Sequence, residues 1–416
     1  MSKKSKLGLL ARPAQFLLFL LSGFFPRNNE LWVFGAWSGN RLSGNAAAVF
    51  RFVDNHKETQ VSPVWVSSNA GVRKLLRSEG RTAVHPWSPQ GIITCLKAGV
   101  YAYDVCGNDI NFWLSRGARN VMLRHGTSIK KIGRVIDNPT HHLHRLYHGN
   151  IFQRFFLGFL LPWHNTTYDL VIASSKQHAK QASEFYFVAE ENIAITGSPR
   201  NDILFDQTCS NGKDPAEAWV RECHENGQQV CLYMPTFRDD GTRAFPYPWK
   251  KLDEICARQG VNILVRLHPV DRSNAATDDI ADLKHLRLHD THQDPSLLFH
   301  KVDCMITDYS SSVYDYILLQ KPVIFFCHDL ASFRKNSRSL YFDLDQITPG
   351  ALSETLEHLE ASLGDLAAGR LAEQASGARY QNTLELFHKY KDGGSTQRVW
   401  KEIRQRFCLS EPRDAD

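Results

Sequence analysis

Short apolar runs alternate with amphipathic stretches along most of the chain. Residues 31–36 form the first run and precede a helical pattern over Gly44–Asn55, and residues 61–67 precede a second helical pattern that ends at Ser78. Continuous apolar runs of this length predict strands that are buried on both faces, and alternation with helices predicts a parallel sheet covered on both sides. Ligands of such sheets bind beyond the carboxyl ends of the strands, so the loops that follow the strands are where chemistry is expected.

The same pattern predicts strands throughout both halves of the chain. In the first half they fall at residues 100–105, 120–123, 169–173 and 193–196, and in the second half at 230–234, 262–269 and Leu286–Leu288. A polar stretch over 207–217 separates the halves and is typical of a connection between domains. A glycine break followed by an amphipathic helix closes the chain. We therefore predict domains over 31–206 and 207–385 and a terminal helix within 386–416.

Length and composition agree with two domains in a reducing compartment. The chain has 416 residues, of which 43% are hydrophobic and 22% charged, enough to bury two cores. Nine cysteines, without a CxxC pair, favour a cytoplasmic protein. The net charge of +5 is mild and spread out, which favours anionic small molecules or a membrane surface as partners and not nucleic acid.

Two apolar segments interrupt the soluble pattern. Residues 1–30 carry three early lysines and an apolar run over 14–25 that is too short to span a bilayer, which favours an interfacial anchor, with a helix packed on the domain as the alternative. Residues 136–167 break the strand and helix alternation, and the aromatic part, 151–163, predicts a membrane-interface helix or, alternatively, a buried core helix. Both segments favour a membrane-surface protein.

Residues 303–326 form a strand, turn, helix, strand unit with a serine-rich turn. The turn Asp308–Ser312 would present hydroxyl groups and free backbone N–H groups beyond the strand, which suits a phosphate. Asp315 follows Asp308 by seven residues, about two helical turns, and is placed to accept from the hydroxyls of a ribose. An ordinary helix cap with core residues behind it is the alternative.

The loop over residues 124–133 places a histidine beside positive charge. His125 is followed by Gly126 and Thr127, and Lys130 lies a few residues on, an arrangement that predicts a general base beside a phosphate. A structural hydrogen-bonding histidine is the alternative. Histidines at 141, 144 and 148 have helical spacing, but no nearby carboxylate or cysteine completes a metal site.

Two further turns and one predicted strand carry candidate ligand-binding residues. Arg200 and Asp202 follow the strand at 193–196 and would orient a ligand or lock their turn. A second turn begins at Pro235 and contains Arg238. In the predicted strand 262–269, Arg266 and His268 alternate with an apolar residue and are expected to point to one face near the strand end.

Together these motifs resemble the CDP-glycerol:poly(glycerophosphate) glycerophosphotransferases, the teichoic acid primase and polymerase family. The resemblance covers residues 31–407 in order, and it is specific because seven short motifs coincide. The motifs are HGTSIKKIG, TGSPRND, YMPTFRD, RLHP, ITDYSSSVYDYILLQKPVIFF, YFDLD and DGGSTQRV. A GxxxSGN pattern that ends at Asn45 also resembles the first helix of that family.

The resemblance implies the fold class α/β, GT-B: two Rossmann-like domains with parallel sheets that face each other across a cleft, and a C-terminal helix that crosses back to the first. Residues 31–206 would be the acceptor domain, with 136–167 as a membrane-facing insert, and 207–385 the CDP-donor domain. The family moves a polyol phosphate, such as glycerol or ribitol phosphate, from a CDP-activated donor to a hydroxyl of a lipid-linked acceptor and releases CMP. The protein is thus expected at the cytoplasmic face of the membrane, as a peripheral enzyme of teichoic acid or capsule synthesis and a possible homo-oligomer.

The resemblance also implies roles for individual residues. His125 matches the base and His268 a histidine that contacts the donor phosphates, with no cofactor and no metal in the chemical step. The implied donor-binding set is Gly126, Thr127, Lys130, Arg200, Asp202, Pro235, Thr236, Arg238, Arg266, Thr307, Asp308, Ser310, Ser311 and Asp315. Ser128 and Phe333 depart from the family pattern, where a proline and a tyrosine are expected, and leave the acceptor or polyol pocket open.

Two other functions fit the residues. A glycosyltransferase or epimerase that uses a nucleotide sugar would have the same fold. A non-catalytic membrane-surface binding protein is the third possibility, although two placed histidines and the serine turn argue against it.

Overall fold

The computed structural model describes residues 11–56, 60–139, 141, 143–206, 214–236, 238, 244–267, 278–289, 295–336, 340–350 and 352–407. The chain divides into two compact units. Unit 1 comprises Met1–His125, Ile132–Asp202 and Asp392–Asp416, and unit 2 comprises Gly126–Lys131 and Ile203–Lys391. The division falls at Asp202, close to the boundary expected at residue 206. The sequence pattern does not indicate that residues 126–131 belong to unit 2.

Unit 1 contains a seven-stranded parallel sheet in the order β3-β2-β1-β4-β5-β6-β7. Its strands are β1 (Asn28–Gly35), β2 (Ser62–Val66), β3 (Ala83–Val84), β4 (Ala98–Tyr103), β5 (Arg119–Met122), β6 (Leu170–Ala173) and β7 (Ile193–Ile195). The helices of this part are α1 (Arg12–Ser22), α2 (Gly44–Asn55), α3 (Ala70–Ser78), α4 (Pro89–Lys97), α5 (His144–His148), α6 (Ile151–Leu160) and α7 (Lys176–Tyr186).

Unit 2 contains a six-stranded parallel sheet in the order β10-β9-β8-β11-β12-β13. Its strands are β8 (Gln229–Met234), β9 (Val261–Val265), β10 (Leu286–Leu288), β11 (Cys304–Thr307), β12 (Val323–Phe326) and β13 (Leu352–Ser353). Its helices are α8 (Pro215–Glu225), α9 (Trp249–Gln259), α10 (Asp278–Ala281), α11 (Ser296–Phe299), α12 (Ser312–Tyr316), α13 (Leu330–Asn336), α14 (Leu344–Ile347), α15 (Leu356–Ala367) and α16 (Ala378–Phe387). The last helix of the chain, α17 (Ser395–Arg406), belongs to unit 1.

Each sheet is buried by apolar side chains on both faces, as its continuous apolar strands predict. In unit 1, Trp32 and Phe34 of β1 pack with Phe50 of α2 and Trp65 of β2 in one fully buried cluster, to which Val399 of α17 also belongs. In unit 2, all four residues of β11 are buried. The prediction of an α/β protein with two Rossmann-like parallel sheets is confirmed.

The apolar segment at the N-terminus forms a helix that packs on unit 1 by one face only. Leu18 of α1 packs against a buried cluster, and the ring of Phe19 stacks on Phe112 with centroids 4.7 Å apart. Arg27 fixes the turn after the helix because its guanidinium donates to five backbone carbonyls, from Ser22, Cys95, Ala98, Leu114 and Arg116.

A second apolar helix joins the exposed face of α1. Helix α6 contains no buried residue, so the buried core helix considered for this segment is wrong. The rings of Phe16 and Phe159 lie 5.9 Å apart and bring α6 beside α1. The two elements expose large apolar side chains that we call the apolar patch: Leu17, Leu20, Leu21, Phe24, Phe25, Ile151, Phe152, Phe155 and Phe156. Within the described residues, no helix combines the length and the hydropathy that crossing a bilayer requires.

Candidate active site

Leu123 extends β5 by one residue, because its backbone N–H donates to the carbonyl oxygen of Tyr103. His125 lies two residues further along the chain. Its side chain is exposed, whereas the four residues before it are buried. Arg124 holds a left-handed backbone conformation with φ of 58°, which is rare for a residue with a side chain. The guanidinium of Arg200 donates to the carbonyl oxygen of His125. The structure thus brings two predicted site residues, His125 and Arg200, into contact.

Asn45, in the first turn of α2, ties this loop in place. Its side-chain Nδ2 donates to the carbonyl oxygens of Leu123, at 2.8 Å, and Arg124, at 2.7 Å, while its Oδ1 accepts from the backbone N–H of Arg200 at 2.9 Å. Asn45 is 1% exposed. The sequence indicated the motif that contains Asn45 but not its hydrogen-bonding role, because its partners lie far along the chain.

A buried carboxylate supports the same helix end. Asp104 follows β4 and accepts from the backbone N–H of Ala46 at 2.8 Å. Burial raises the pKa of Asp104 well above its ordinary value, against the hydrogen bond from Ala46. Gly44 makes the approach possible, since a Cβ there would lie 2.1 Å from Asp104 Oδ2. Sequence reasoning missed Asp104, although an acidic residue directly after a buried strand is a usable signal.

The loop after β1 is strained next to His125. Trp37 and Ser38 both have left-handed φ values, 50° and 55°, and each such residue costs on the order of 1–3 kcal/mol. Asp109 holds this loop by accepting from the N–H of Ser38 at 2.7 Å. The indole of Trp37 meets the imidazole of His125 edge to face, with centroids 5.8 Å apart. Sequence reasoning did not select Trp37.

Asp202 caps the last helix of the chain. Its two carboxylate oxygens accept from the backbone N–H groups of Ser395, at 2.9 Å, and Thr396, at 2.6 Å. Burial raises the pKa of Asp202, and these hydrogen bonds oppose the shift. The motifs TGSPRND and DGGSTQRV are therefore in contact. The structure gives Asp202 a helix-capping position, and its predicted role in donor binding stays a prediction.

In unit 2, several predicted donor-binding residues form one buried ionic network. The guanidinium of Arg238 pairs with Asp308 at 2.8 Å and with Asp329 at 2.6 Å, and all but 4% of Arg238 is buried. Asp308 also accepts from the backbone N–H of Thr236 at 2.8 Å. The hydroxyl of Thr307 is buried and donates to the carbonyl of Met234. These contacts stabilise the ends of β8 and β11. The sequence analysis did not identify Asp329 as a site residue.

One hydroxyl at this site points to a missing partner. Thr236 Oγ1 is buried and has no hydrogen-bond partner among the described residues. It follows the buried Pro235 just beyond β8. A buried hydroxyl without a partner is costly, so it favours a ligand contact here.

The serine turn is present but precedes a shorter helix than expected. Ser310 and Ser311 follow β11, and α12 spans only Ser312–Tyr316 before it tightens into a 3₁₀ turn. Asp315 lies in its first turn and is 8% exposed. The strand, turn, helix, strand unit is therefore as predicted, whereas the anion site stays a prediction with little helix dipole behind it.

The sequence predicted Arg266 within a strand, but the structure places it just after one. Strand β9 ends at Val265, so the alternation argument does not apply to Arg266. Its Nη1 contacts Nδ1 of the buried His289 at 2.7 Å, and His289 Nε2 contacts Asp214 at 3.3 Å. Because a guanidinium only donates, Nδ1 accepts and Nε2 carries the proton. His268 lies outside the described residues.

The segment that follows His125 packs within unit 2. The N–H of Tyr341 donates to the carbonyl of Ile129 at 2.7 Å, and Lys130 forms an antiparallel bridge with Leu340. The ammonium of Lys130 lies 5.0 Å from the ring centroid of Phe333. Gly126 and Thr127 are both buried. Within the described ranges, no cluster of three or more His, Cys, Asp or Glu side chains is placed to hold a metal ion.

Comparison with known proteins identifies the family. A model described as CDP-Glycerol:Poly(glycerophosphate) glycerophosphotransferase matches residues 17–405. The teichoic acid glycerol-phosphate transferase of Staphylococcus aureus (strain NCTC 8325 / PS 47) is 25% identical over 425 residues, which cover 96% of this chain and 99% of that protein. The teichoic acid ribitol-phosphate polymerase TarK of the same strain is 26% identical over 60% of this chain, and the match spans 47% of TarK, just under half its length.

A solved structure shows the same fold. The wall teichoic acid polymerase TagF superposes with a TM-score of 0.70 at 18% identity, and the match covers 99% of this chain and all of that one. The fold and the family model agree over nearly the whole sequence. The chain belongs to the CDP-glycerol:poly(glycerophosphate) glycerophosphotransferase family.

Proposed function

We propose that the protein transfers a polyol phosphate, glycerol or ribitol phosphate, from a CDP-activated donor to a hydroxyl of a lipid-linked acceptor and releases CMP, in teichoic acid or capsule polymer synthesis. The observation that carries this proposal is the exposed His125 held in a rigid, strained frame by Asn45, Arg200 and Trp37. Strain of this kind persists where the surroundings enforce it, and it concentrates at functional sites.

His125 is the general base in this reaction. Its imidazole takes the proton of the acceptor hydroxyl while that oxygen bonds to the phosphorus that carries the polyol. The bond from this phosphorus to the oxygen it shares with CMP breaks, and CMP leaves with the electron pair. The reaction therefore needs a base for one proton and positive charge or N–H donors for the leaving phosphate.

Residues of unit 2 bind the donor. The buried Thr236 hydroxyl is available to accept or donate to the nucleotide, and Arg266, fixed by His289, supplies a cation to its phosphates. Ser310, Ser311 and the N–H groups of their turn add donors, with Asp315 on the ribose. Arg238, Thr307 and Asp308 act through the network that holds this loop.

The apolar patch binds the membrane that carries the acceptor. Phe24, Phe152 and Phe155 are each at least 80% exposed, which is costly in water and favourable in the headgroup layer. Arg12 is held between Trp113 and Trp163, 5.1 Å from each ring centroid, at the base of the same region. This supports peripheral association with a membrane; the cytoplasmic face and a homo-oligomer are further predictions.

A panel of donors tests the proposal. CDP-glycerol, CDP-ribitol and two UDP-sugars are each incubated with the full chain and a lipid-linked acceptor, and the release of CMP or UDP is measured. CMP release from one CDP-polyol alone supports the transferase and identifies the polyol. UDP release, or epimerised UDP-sugar, would instead show the nucleotide-sugar enzyme, and tight CDP binding without turnover a binding protein.

A further inference from the structure

Trp37 presents an indole beside the candidate base. Its side chain is 43% exposed, although a tryptophan at the end of a buried strand would ordinarily be covered. The ring centroids of Trp37 and His125 lie 5.8 Å apart with an interplanar angle of 62°, so the edge of one ring meets the face of the other. A large part of the indole stays open to a ligand.

The backbone holds the indole there against its own preference. Trp37, Ser38 and Gly39 have consecutive positive φ values of 50°, 55° and 73°. Buried or shielded partners fix the loop: Asp109 accepts from the N–H of Ser38, and the hydroxyl of Ser67 donates to the carbonyl of Gly39 at 2.5 Å. An exposed aromatic ring in an enforced backbone conformation has no part in core packing, which points to a ligand.

A cation completes the arrangement. The guanidinium carbon of Arg41 lies 5.4 Å from the centroid of the Trp37 ring, and the Arg41 side chain is exposed. A base, an aromatic surface and a guanidinium therefore follow one another within one unit of the protein. A guanidinium binds phosphate, as it binds carboxylate, through paired hydrogen bonds.

We propose that Trp37 and Arg41 form the binding site for the terminal polyol phosphate unit of the acceptor. The carbon chain of the polyol lies on the indole, its phosphate pairs with Arg41, and its free hydroxyl reaches His125. This inference rests on the proposed transfer reaction, and it assigns the acceptor, not the donor, to the loop after β1. It also gives one reason for the strained loop.

Acceptor kinetics test the assignment. In the full chain, we expect Trp37→Leu and Arg41→Gln each to raise the acceptor KM by about tenfold, the loss of one good contact, with the donor KM within about twofold of the wild type. Trp37→Phe, which keeps an aromatic face, should recover most of the affinity. Trp87→Leu and Arg221→Gln replace an exposed tryptophan and an exposed arginine elsewhere, and both should leave the two KM values and kcat unchanged. An unchanged acceptor KM, an equal rise in both KM values, or a lower kcat alone would overturn the site.

A binding measurement separates this inference from the proposed reaction. Calorimetric titration of the full chain with sn-glycerol 3-phosphate and with ribitol 5-phosphate needs no turnover. If no CDP-polyol releases CMP, the proposed function fails, yet weaker binding of either phosphate by Trp37→Leu and Arg41→Gln would still support the site. Absence of binding, or equal binding by wild type and both variants, would overturn it.

Discussion

The side-chain amide of Asn45 donates to the carbonyl oxygen of Arg124 at 2.7 Å. The same side chain accepts from the N–H of Arg200, so one residue of α2 joins the end of β5 to the turn after β7. Carbonyl oxygens only accept and an N–H only donates, which leaves one possible orientation for the amide. The left-handed Arg124 and the exposed His125 are held by this link.

Asn45→Asp should lower turnover and also reduce the free energy of unfolding. A carboxylate at this position would face two carbonyl oxygens without a donor, and a lost buried hydrogen bond costs about 1–3 kcal/mol. We expect turnover to fall at least about tenfold, because the loop that carries His125 shifts. Steady-state CMP release, with Asn226→Asp at an exposed position as the control, measures this. Full activity in Asn45→Asp would show that the link does not position the base.

Asp202→Ala should loosen the last helix. Removal of both acceptors leaves the N–H groups of Ser395 and Thr396 without their cap, which costs about 1–2 kcal/mol of stability. Asp202→Asn keeps one acceptor oxygen and should lose less. The midpoint of urea unfolding and hydrogen exchange across α17 report the change, with the exposed Asp282→Ala as the control. Equal midpoints for all variants would contradict a capping role.

The carboxyl of Asp109 should make stability depend on pH. Burial raises the pKa of Asp109 to about 6, although hydrogen bonds from the N–H groups of Ser38, Val105 and Cys106 lower it. A carboxyl with a raised folded-state pKa holds its proton more tightly when folded, so its contribution to the free energy of unfolding falls as pH rises from about 4 to about 6 and is constant above.

We expect the titration of Asp109 to lower the free energy of unfolding by at most about 3 kcal/mol, and we expect no such decrease in Asp109→Asn. Urea unfolding at pH 4.5 and pH 6.5 measures the difference for each protein. Other carboxyls titrate in both proteins, so the comparison is between the two pH differences. The same pH difference in wild type and variant would show that Asp109 does not hold its proton to pH 6.

Polar substitutions in the apolar patch should release the protein from membranes. Each exposed phenylalanine that leaves the bilayer interface loses about 1.5–3 kcal/mol, so Phe152→Ser with Phe155→Ser should weaken binding to anionic vesicles at least about tenfold. Vesicle cosedimentation measures this. Leu75→Ser removes an exposed apolar residue outside the patch and should bind as the wild type does. Unchanged binding of the double variant would rule out the patch as the membrane contact.

The repeating strands and helices were predictable because their patterns are local. Helix α2 was predicted over the residues it occupies, and strands β4 to β7 to within two residues at each end. Strands β3 and β13 have two residues each, too few to form a pattern, and were not predicted. Arg266 was assigned to a strand that ends one residue earlier, since an apolar residue beyond it prolonged the pattern.

Residues of the candidate site were predictable from the sequence only where their position at the end of a strand identified them. His125 and the serine turn stand at strand ends, so the sequence indicated them. Asn45 contacts residues more than 70 positions away, and Asp202 caps a helix 193 positions later. Such contacts depend on the folded sheet, which is why Asn45 was recognised only as part of a motif and Asp202 was assigned to a ligand.

Turnover of His125→Ala tests the central claim most directly. With CDP-glycerol or CDP-ribitol and a lipid-linked acceptor, we predict that CMP release falls by about 10²–10⁴, the usual contribution of a general base, in His125→Ala and equally in His125→Gln. The Kd for the donor should stay within about threefold, because the donor is assigned to unit 2. A near-normal rate in either variant would contradict the account.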